Sequence, residues 1–217
     1  MNNGKNSSMI RDALILFAIT LISGFVLGAV YQVTKEPIAI QKEKAKQQAC
    51  TEVFQDAASF EALSDTAAEN AGEENGTVPN GWAEQGFDGV DIGEIMAAED
   101  GAGNVLGYVI TVNDHEGYGG DIEFMMGVRN DGTLNGISLL AISETAGLGM
   151  RAEEVLKPQF ADKNAESFEY VKTGAAGENQ IDAISGATIT THAVTNGVNA
   201  GLYYFREVLM EGGDGNE

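Results

Sequence analysis

The sequence predicts an α+β protein in which a single transmembrane helix precedes a domain with an antiparallel sheet and flanking helices. Three observations lead to this fold class. Residues 13–33 form one long uncharged apolar run, four short β-rich segments follow between residues 92 and 142, and the last apolar residues keep helical spacing. About 180 residues remain after the apolar run, which is enough to bury a sizeable core.

The chain is strongly acidic, with 33 acidic and 12 basic residues among 217 and a formal net charge of −21. From Gln47 to Val128 there are 82 residues without a lysine or arginine, and 17 of them are acidic. Such a surface repels polyphosphates, which argues against nucleic acid as a partner. Because Cys50 is the only cysteine, an internal disulfide, a CxxC pair and a cysteine-ligated iron–sulfur or zinc site are excluded within this chain. Any redox chemistry therefore needs a bound cofactor.

The apolar run at residues 13–33 predicts a membrane anchor. Its 21 residues carry no charge and, at ~1.5 Å per residue, span roughly 30 Å as a helix. Lys5 and Arg11 before it also fit a cleaved signal peptide, but the run exceeds a usual signal core and lacks an A-x-A cleavage site. Thr20, Gly24 and Gly28 recur at every fourth residue and give the helix a small face that can pack on other membrane helices, although glycine is common in such helices anyway.

The segment after the anchor predicts a membrane-proximal helix over residues 34–60, with a kink or restart at Pro37. Residues 61–91 follow as an acidic surface segment rich in glycine and asparagine, held to the domain by Trp82 and Phe87.

The domain itself is predicted over residues 92–210. Alternating β-rich segments predict strands at 92–99, 105–113, 122–129 and 134–142, and Asn130-Asp131-Gly132 predicts the hairpin turn between the last two. A short helix is expected at 152–160, a short strand at 168–171, and a long amphipathic helix from Thr188 onward. The polar tail at 211–217 is predicted to be disordered.

The residues with the strongest chemical signal are those at 182–191, which read DAISGATITT. Ser185, Gly186 and Ala187 are small residues in a tight turn that leads into a helix at Thr188, so free backbone N–H groups and the positive end of the helix dipole meet there. This arrangement suits an anion. The alternative is a serine or threonine side chain that caps the helix without any ligand.

The same stretch resembles the flavinylation motif Asp-x-x-Ser/Thr-Gly-Ala-Thr-x-Ser/Thr. This motif belongs to the FMN-binding domains of the G subunits of Rnf complexes and of the C subunits of sodium-pumping NADH:quinone oxidoreductases. The resemblance implies that Thr188 carries FMN through a phosphoester, whose negative charge the helix N-terminus would solvate. Since a threonine hydroxyl is a weak nucleophile, it also implies a magnesium-dependent flavin transferase that uses FAD. Asp182 either helps position that reaction or serves as a structural turn residue.

Two further stretches resemble segments of this family. Residues 144–149 (ETAGLG) are similar to the family's Glu-Thr-Pro-Gly-Leu-Gly loop, with Ala146 in place of proline. Residues 117–120 (GYGG) are similar to its glycine-rich segment before a central strand, where glycine lets the backbone approach a flat ring. The resemblance therefore implies flavin contacts from Ser185, Gly186, Ala187, Glu144, Thr145, Gly147, Leu148, Gly149, Tyr118 and Gly119.

The family resemblance implies a membrane-anchored flavoprotein that relays electrons as one component of an ion-translocating ferredoxin:NAD+ oxidoreductase of the Rnf type. Its partners would be the other membrane and peripheral subunits and, during maturation, the flavin transferase, with no independent substrate turnover. One alternative is the C subunit of the sodium-translocating NADH:quinone oxidoreductase. Another is a tethered acidic extracytoplasmic binding module without flavin.

The orientation in the membrane does not follow from charge alone. Four lysines follow the anchor closely and favour a cytoplasmic C-terminal side, whereas long domains translocate largely regardless of charge. The resemblance implies a single-pass protein of the cell (inner) membrane, with residues 1–12 in the cytoplasm and the FMN-binding domain outside it.

Three further residues are candidates for a role. His115 and His192 lack a metal-binding pattern, so no metal site is predicted. His192 lies four residues after Thr188 and either touches the cofactor or faces solvent. Cys50 is interpreted as a small residue on a helix face, with a disulfide to another chain as the alternative.

Overall fold

The computed structural model describes residues 3–63 and 78–210. The chain divides into two compact units, Met1–Ala45 and Lys46–Glu217. Part of the predicted acidic segment, residues 64–77, and the predicted disordered tail, residues 211–217, lie outside the described residues.

The first element is a long helix, α1 (Asn3–Val53), which contains Pro37 in its interior. The predicted helix end at residue 60 is wrong, and residue 37 is not a boundary. Flanking residues rich in Lys, Glu, Gln and Ala favour the helix strongly enough to continue it through one proline. The helix includes an 18-residue window of mean hydropathy 2.5, long and apolar enough to cross a membrane. Large apolar side chains such as Phe25 and Leu27 are exposed there, as a membrane anchor requires.

The second unit is built around a five-stranded antiparallel sheet with the strands in chain order. The strands are β1 (Ser59–Ala62), β2 (Val90–Glu99), β3 (Val105–Asp114), β4 (Ile122–Arg129) and β5 (Leu134–Ile142). The four predicted strands are confirmed, as is the hairpin turn, where Gly132 has φ +83° and the Asp131 carboxylate accepts the Thr133 N–H. The predicted domain start at residue 92 is wrong, because β1 pairs with β2 and belongs to the sheet.

The end of α1 covers one face of this sheet. Cys50 and Val53 are buried against apolar side chains of the sheet such as Met125, and the Cys50 Sγ lies 4.0 Å from the Met125 Sδ. The structure therefore confirms Cys50 as a small residue on a helix face. A Cβ at Gly127 would lie 2.8 Å from the Val53 carbonyl oxygen, so glycine at this position allows the helix end to approach β4.

The segment between β5 and the last helix contains only short helical turns and short strands. The predicted helix at 152–160 is a 3₁₀ turn at Gly149–Arg151, a short α2 (Ala152–Val155) and a second 3₁₀ turn at Lys157–Phe160, because Pro158 in the last turn prevents one continuous helix. A small parallel sheet follows, made of β6 (Glu169–Val171) and β7 (Gln180–Asp182), and the second of these strands was not predicted.

The opposite face of the five-stranded sheet carries the second helical layer, α3 (Thr188–Tyr204), which continues as a π-helical turn at Phe205–Met210. A Cβ at Gly197 would lie 2.9 Å from the Phe124 ring, which shows how closely α3 approaches β4. Trp82 and Phe87 are buried in the same core and contact Tyr203, so the predicted anchoring of this segment is confirmed.

Candidate functional site

The turn before α3 leaves the start of the helix uncapped. Gly186 has φ +81°, and Ala187 occupies the N-cap position without any side-chain cap hydrogen bond. Thr191 braces the turn instead, because its hydroxyl accepts the Ile184 N–H at 3.1 Å and donates to the Ala187 carbonyl at 2.9 Å. The alternative interpretation, in which a serine or threonine side chain caps the helix, is therefore wrong for α3. The N–H groups of its first turn are left without intrahelical acceptors, and Thr188 is exposed beside them.

A cavity of about 510 Å³ opens at Thr188, within the size range of small-molecule sites. Three stretches that are far apart in the sequence meet in its wall. The lining residues are Tyr118, Glu144, Thr145, Leu148, Gly149, Gly186, Ala187, Thr188, Ile189 and Thr190. Eight of these are predicted site residues, whereas Ile189 and Thr190 were missed. The sequence could have indicated these two residues, because they follow Thr188 in the first turn of α3, and the backbone amides of that turn would bind an anion at Thr188.

Four predicted site residues do not line the cavity: Gly119, Gly147, Asp182 and Ser185. Asp182 has a structural role, since its carboxylate accepts the Ala175 N–H at 2.9 Å and its backbone N–H donates to the Gln159 side chain at 2.7 Å. Ser185 is exposed in the turn, and Gly147 has φ +77°, a conformation that glycine adopts without strain.

Gly119 holds the wall of the cavity rather than facing into it. A Cβ there would overlap the Ser143 carbonyl oxygen, and the Gly119 N–H donates to the Glu144 Oε1 at 3.3 Å. In the structure this glycine lets two backbone segments approach each other, and its close approach to a flat ring stays a prediction. Gly149 acts similarly, since a Cβ would lie 2.6 Å from the Thr190 Oγ1 and 2.8 Å from the Glu144 Oε2.

The cavity combines apolar surface with an anion site. Tyr118, Leu148 and Ile189 line the cavity and are 70%, 40% and 52% exposed, so they offer apolar surface that a ligand can cover. No lysine or arginine of the described chain lines the cavity, so an anionic group there depends on the amides and dipole of α3. An aromatic group that carries a phosphate fits both features.

A group of ionisable side chains lies next to this wall. Asp114 is fully buried at the end of β3, where its Oδ1 accepts the Glu116 N–H at 2.8 Å and its Oδ2 has no partner among the residues described. Burial raises the pKa of Asp114 to about 6, and repulsion from the Glu116 carboxylate adds to the rise. His192 is exposed, outside the cavity lining, with its Nδ1 3.9 Å from the Glu116 Oε2. Within residues 3–63 and 78–210, no group of three or more potential ligands is placed to hold a metal ion.

We expect Asp114 to make folding stability fall as the pH rises. The folded state favours the protonated carboxyl, so this group stabilises the fold fully below its ordinary pKa of 3.8. The stabilisation falls as the pH rises from there and is lost above about 6. The loss in the free energy of unfolding is about 2–3 kcal/mol. In Asp114→Asn the uncharged amide keeps an acceptor for the Glu116 N–H, so this part of the pH dependence should vanish. Urea unfolding of the full chain in detergent near pH 4 and pH 8, followed by Trp82 fluorescence, measures the difference. Equal pH slopes in the two proteins would contradict the assignment.

The fold and the site define a class of protein: a helix-anchored domain with a cavity for an anionic aromatic ligand. Residues 117–203, which include every residue lining the cavity, match the family model of the FMN-binding domain. Residues 1–53 match that of the RnfG N-terminal region. The chain belongs to the RnfG family, the G subunits of the ion-translocating ferredoxin:NAD+ oxidoreductase (Rnf) complexes.

Two relatives support this membership, and a solved structure shares the fold. The chain is 32% identical to the G subunit of the Na(+)-translocating ferredoxin:NAD(+) oxidoreductase complex of Acetobacterium woodii, with 90% of each chain covered. It is 33% identical to the G subunit of the proton-translocating complex of Clostridium ljungdahlii, with 87% of this chain and 90% of the relative covered. The crystal structure of the C subunit of Na(+)-translocating NADH-quinone reductase from Parabacteroides distasonis has the same fold, with a TM-score of 0.50 at 18% identity over 78% of this chain and 94% of that chain.

Proposed function

We propose that this chain is the membrane-anchored flavoprotein component of an Rnf-type complex, in which FMN bound covalently to the Thr188 hydroxyl relays electrons. The observation that carries the proposal is the exposed Thr188 at the uncapped start of α3, on the wall of a cavity of about 510 Å³. Family membership through the FMN-binding domain and two relatives from Rnf-type complexes supports it. When bound, FMN supplies acceptance and release of one or two electrons, and the chain supplies orientation and electrostatics.

The residues of the site divide the work of holding FMN. The amides of residues 188–190 and the dipole of α3 solvate the phosphate, and the exposed side chains of Tyr118, Leu148 and Ile189 cover the ring. Glu144 fixes the wall through its bond from the Gly119 N–H. Glu144 and Tyr118 are the ionisable side chains in the lining, and neither makes a hydrogen bond to the Thr188 hydroxyl. A separate flavin transferase therefore supplies the base that activates this weak nucleophile.

The same proposal covers partners and location. Other membrane and peripheral subunits deliver and remove the electrons, so the chain turns over no substrate of its own. Residues 13–33 of α1 cross the cell (inner) membrane, with the N-terminus in the cytoplasm and the flavin domain outside. Protease added to cells with an intact cell membrane, and with any outer membrane opened, tests the orientation, since it reaches the domain only if the domain is extracytoplasmic.

Covalent flavin is the direct test of the cofactor. The full chain, co-expressed with a flavin transferase and purified in detergent, is expected to show flavin fluorescence that survives denaturation and acid precipitation. Intact-mass spectrometry should show one FMN increment. A protein without flavin fluorescence after co-expression with the transferase would instead favour the tethered binding module, and fluorescence that is lost on denaturation would mean FMN held without a covalent bond.

We expect the small face of the anchor to contribute to assembly. Apart from the adjacent turns of the helix itself, no atom of the described residues lies within 4 Å of an added Cβ at Gly24 or Gly28, so leucine has space at both positions. It blocks the close backbone approach of a second membrane helix. The double variant Gly24→Leu with Gly28→Leu should stay flavinylated and lose part of its co-purification with the other subunits, whereas Leu16→Ala changes it less. Unchanged stoichiometry of the complex in detergent would place the contact elsewhere.

A further inference from the structure

The connection between β3 and β4, residues 115–121, forms part of the cavity wall. It carries Tyr118, which lines the cavity, and Gly119, whose N–H bonds to Glu144. Whatever holds this connection in place also sets the shape of the wall opposite Thr188.

His115 sits at the start of the connection between two carboxylates. Its Nε2 lies 2.9 Å from the Asp91 Oδ2, and its Nδ1 lies 2.9 Å from the Asp121 Oδ1. Carboxylates at these distances only accept hydrogen bonds, and a neutral imidazole has a single N–H. Both bonds therefore exist together only when the ring is doubly protonated. The charged ring then ties both ends of the connection to β2, on which Asp91 lies.

The surroundings favour this charge. Hydrogen bonds to Asp91 and then to Asp121 raise the pKa of His115 above its ordinary value. The buried Asp114 precedes it, and the Glu116 carboxylate follows, with His192 of α3 beyond. These described neighbours of the His115 ring are therefore four acidic side chains and one other basic side chain, His192.

We propose that His115 is a positioning residue for the cavity at Thr188: its doubly protonated ring holds the 115–121 connection against β2 and so keeps Tyr118 and Gly119 in place. The effect is present below the pKa of His115 and is lost as the pH rises through it. We call the two hydrogen bonds from His115 to Asp91 and Asp121 the clamp. Its link to the cofactor rests on the proposed function, whereas the clamp itself does not.

The clamp is tested on flavin-free full chain, Thr188→Val, in detergent. With only two histidines in the sequence, selective ¹³C labelling resolves both rings, and His192→Gln assigns them. We expect His115 to titrate above ~6.5. The Gly119 N–H donates to Glu144 and the Gly120 N–H to the Gly117 carbonyl, so these two amides report on the connection. Their protection factors should fall about two- to fivefold as the pH rises through the pKa of His115, a change of the size that exposed ion pairs contribute.

Two variants at residue 115 separate charge from shape. His115→Arg keeps a cation with several donors at every pH and should hold the amides protected throughout, while His115→Gln should leave them less protected throughout. His192→Gln is the matched control and should leave the profile unchanged. A His115 pKa at or below the ordinary value, or equal protection in the arginine and glutamine variants, would overturn the proposal.

A second readout connects the clamp to the cofactor. In flavinylated protein the visible circular dichroism of the flavin should follow the His115 titration, and His115→Arg should remove this pH dependence. If the amides respond to His115 but the flavin signal does not, the positioning role is overturned. If the wild-type chain carries no flavin, the proposed function fails while the amide-exchange result still decides the clamp.

Discussion

The Thr188→Val protein is expected to fold like the wild type and to carry no covalent flavin. Valine keeps the β-branched shape but lacks the oxygen that the phosphoester needs. Because Thr188 is exposed and the helix cap at Ala187 uses no side chain, the change should alter the free energy of unfolding by less than about 0.5 kcal/mol. Intact-mass spectrometry and in-gel fluorescence measure the flavin, and urea unfolding measures the stability.

Thr188→Ser is the matched control for this experiment. Serine retains the nucleophilic oxygen without the methyl group, so partial flavinylation is expected if the transferase tolerates the smaller side chain. An FMN mass increment that persists in Thr188→Val would disprove the attachment site, because no oxygen remains at residue 188 to carry it.

Gly119→Ala is expected to damage both the stability of the domain and its flavin content. The added Cβ would overlap the Ser143 carbonyl oxygen, and its three nearest atoms are all backbone atoms of Ser143 and Glu144, which cannot turn away as a flexible side chain can. Overpacking of this kind costs about 1–3 kcal/mol and would break the hydrogen bond from the Gly119 N–H to Glu144. We therefore expect a lower urea midpoint together with a reduced flavin-to-protein ratio.

Gly101→Ala provides a control in the turn between β2 and β3. Apart from its chain neighbours, no described residue comes within 4 Å of a Cβ at that position, so stability and flavin content should stay close to those of the wild type. Equal behaviour of the two alanine variants would mean that the 115–121 connection moves freely away from Ser143, contrary to the close contact on which the wall of the cavity depends.

Much of the fold follows from local sequence patterns. The strands at 122–129 and 134–142 were predicted with the bounds that the structure has, because alternation and the Asn130–Gly132 turn are encoded within a few residues. The start of α3 at Thr188 was equally readable from the small residues before it. Strand β1 escaped prediction because it has only four residues, most of them exposed, which is too short a run for a strand pattern to stand out.

The candidate site was only partly predictable. Recognition of the motif at 182–191 singled out Thr188 and brought in the loop at 144–149, and the structure places both at one cavity. For Asp182 the sequence left two roles open, positioning of the flavinylation reaction or support of a turn. Its hydrogen bond from the Ala175 N–H could not be predicted, since that contact depends on how the chain folds back. Ile189 was overlooked because it occupies a variable position between two defined ones.

The order of residues was enough to predict the membrane anchor, the antiparallel strands, the hairpin turn and the helix start that exposes Thr188. Each of these depends on interactions between residues that are near neighbours in the chain, or on the length of an apolar run. Three contacts became known only from the folded chain: Gly119 lies against Ser143, the end of α1 packs on β4, and His115 lies between two carboxylates. They join side chains and backbone that come together only after the sheet has formed, so no local pattern encodes them.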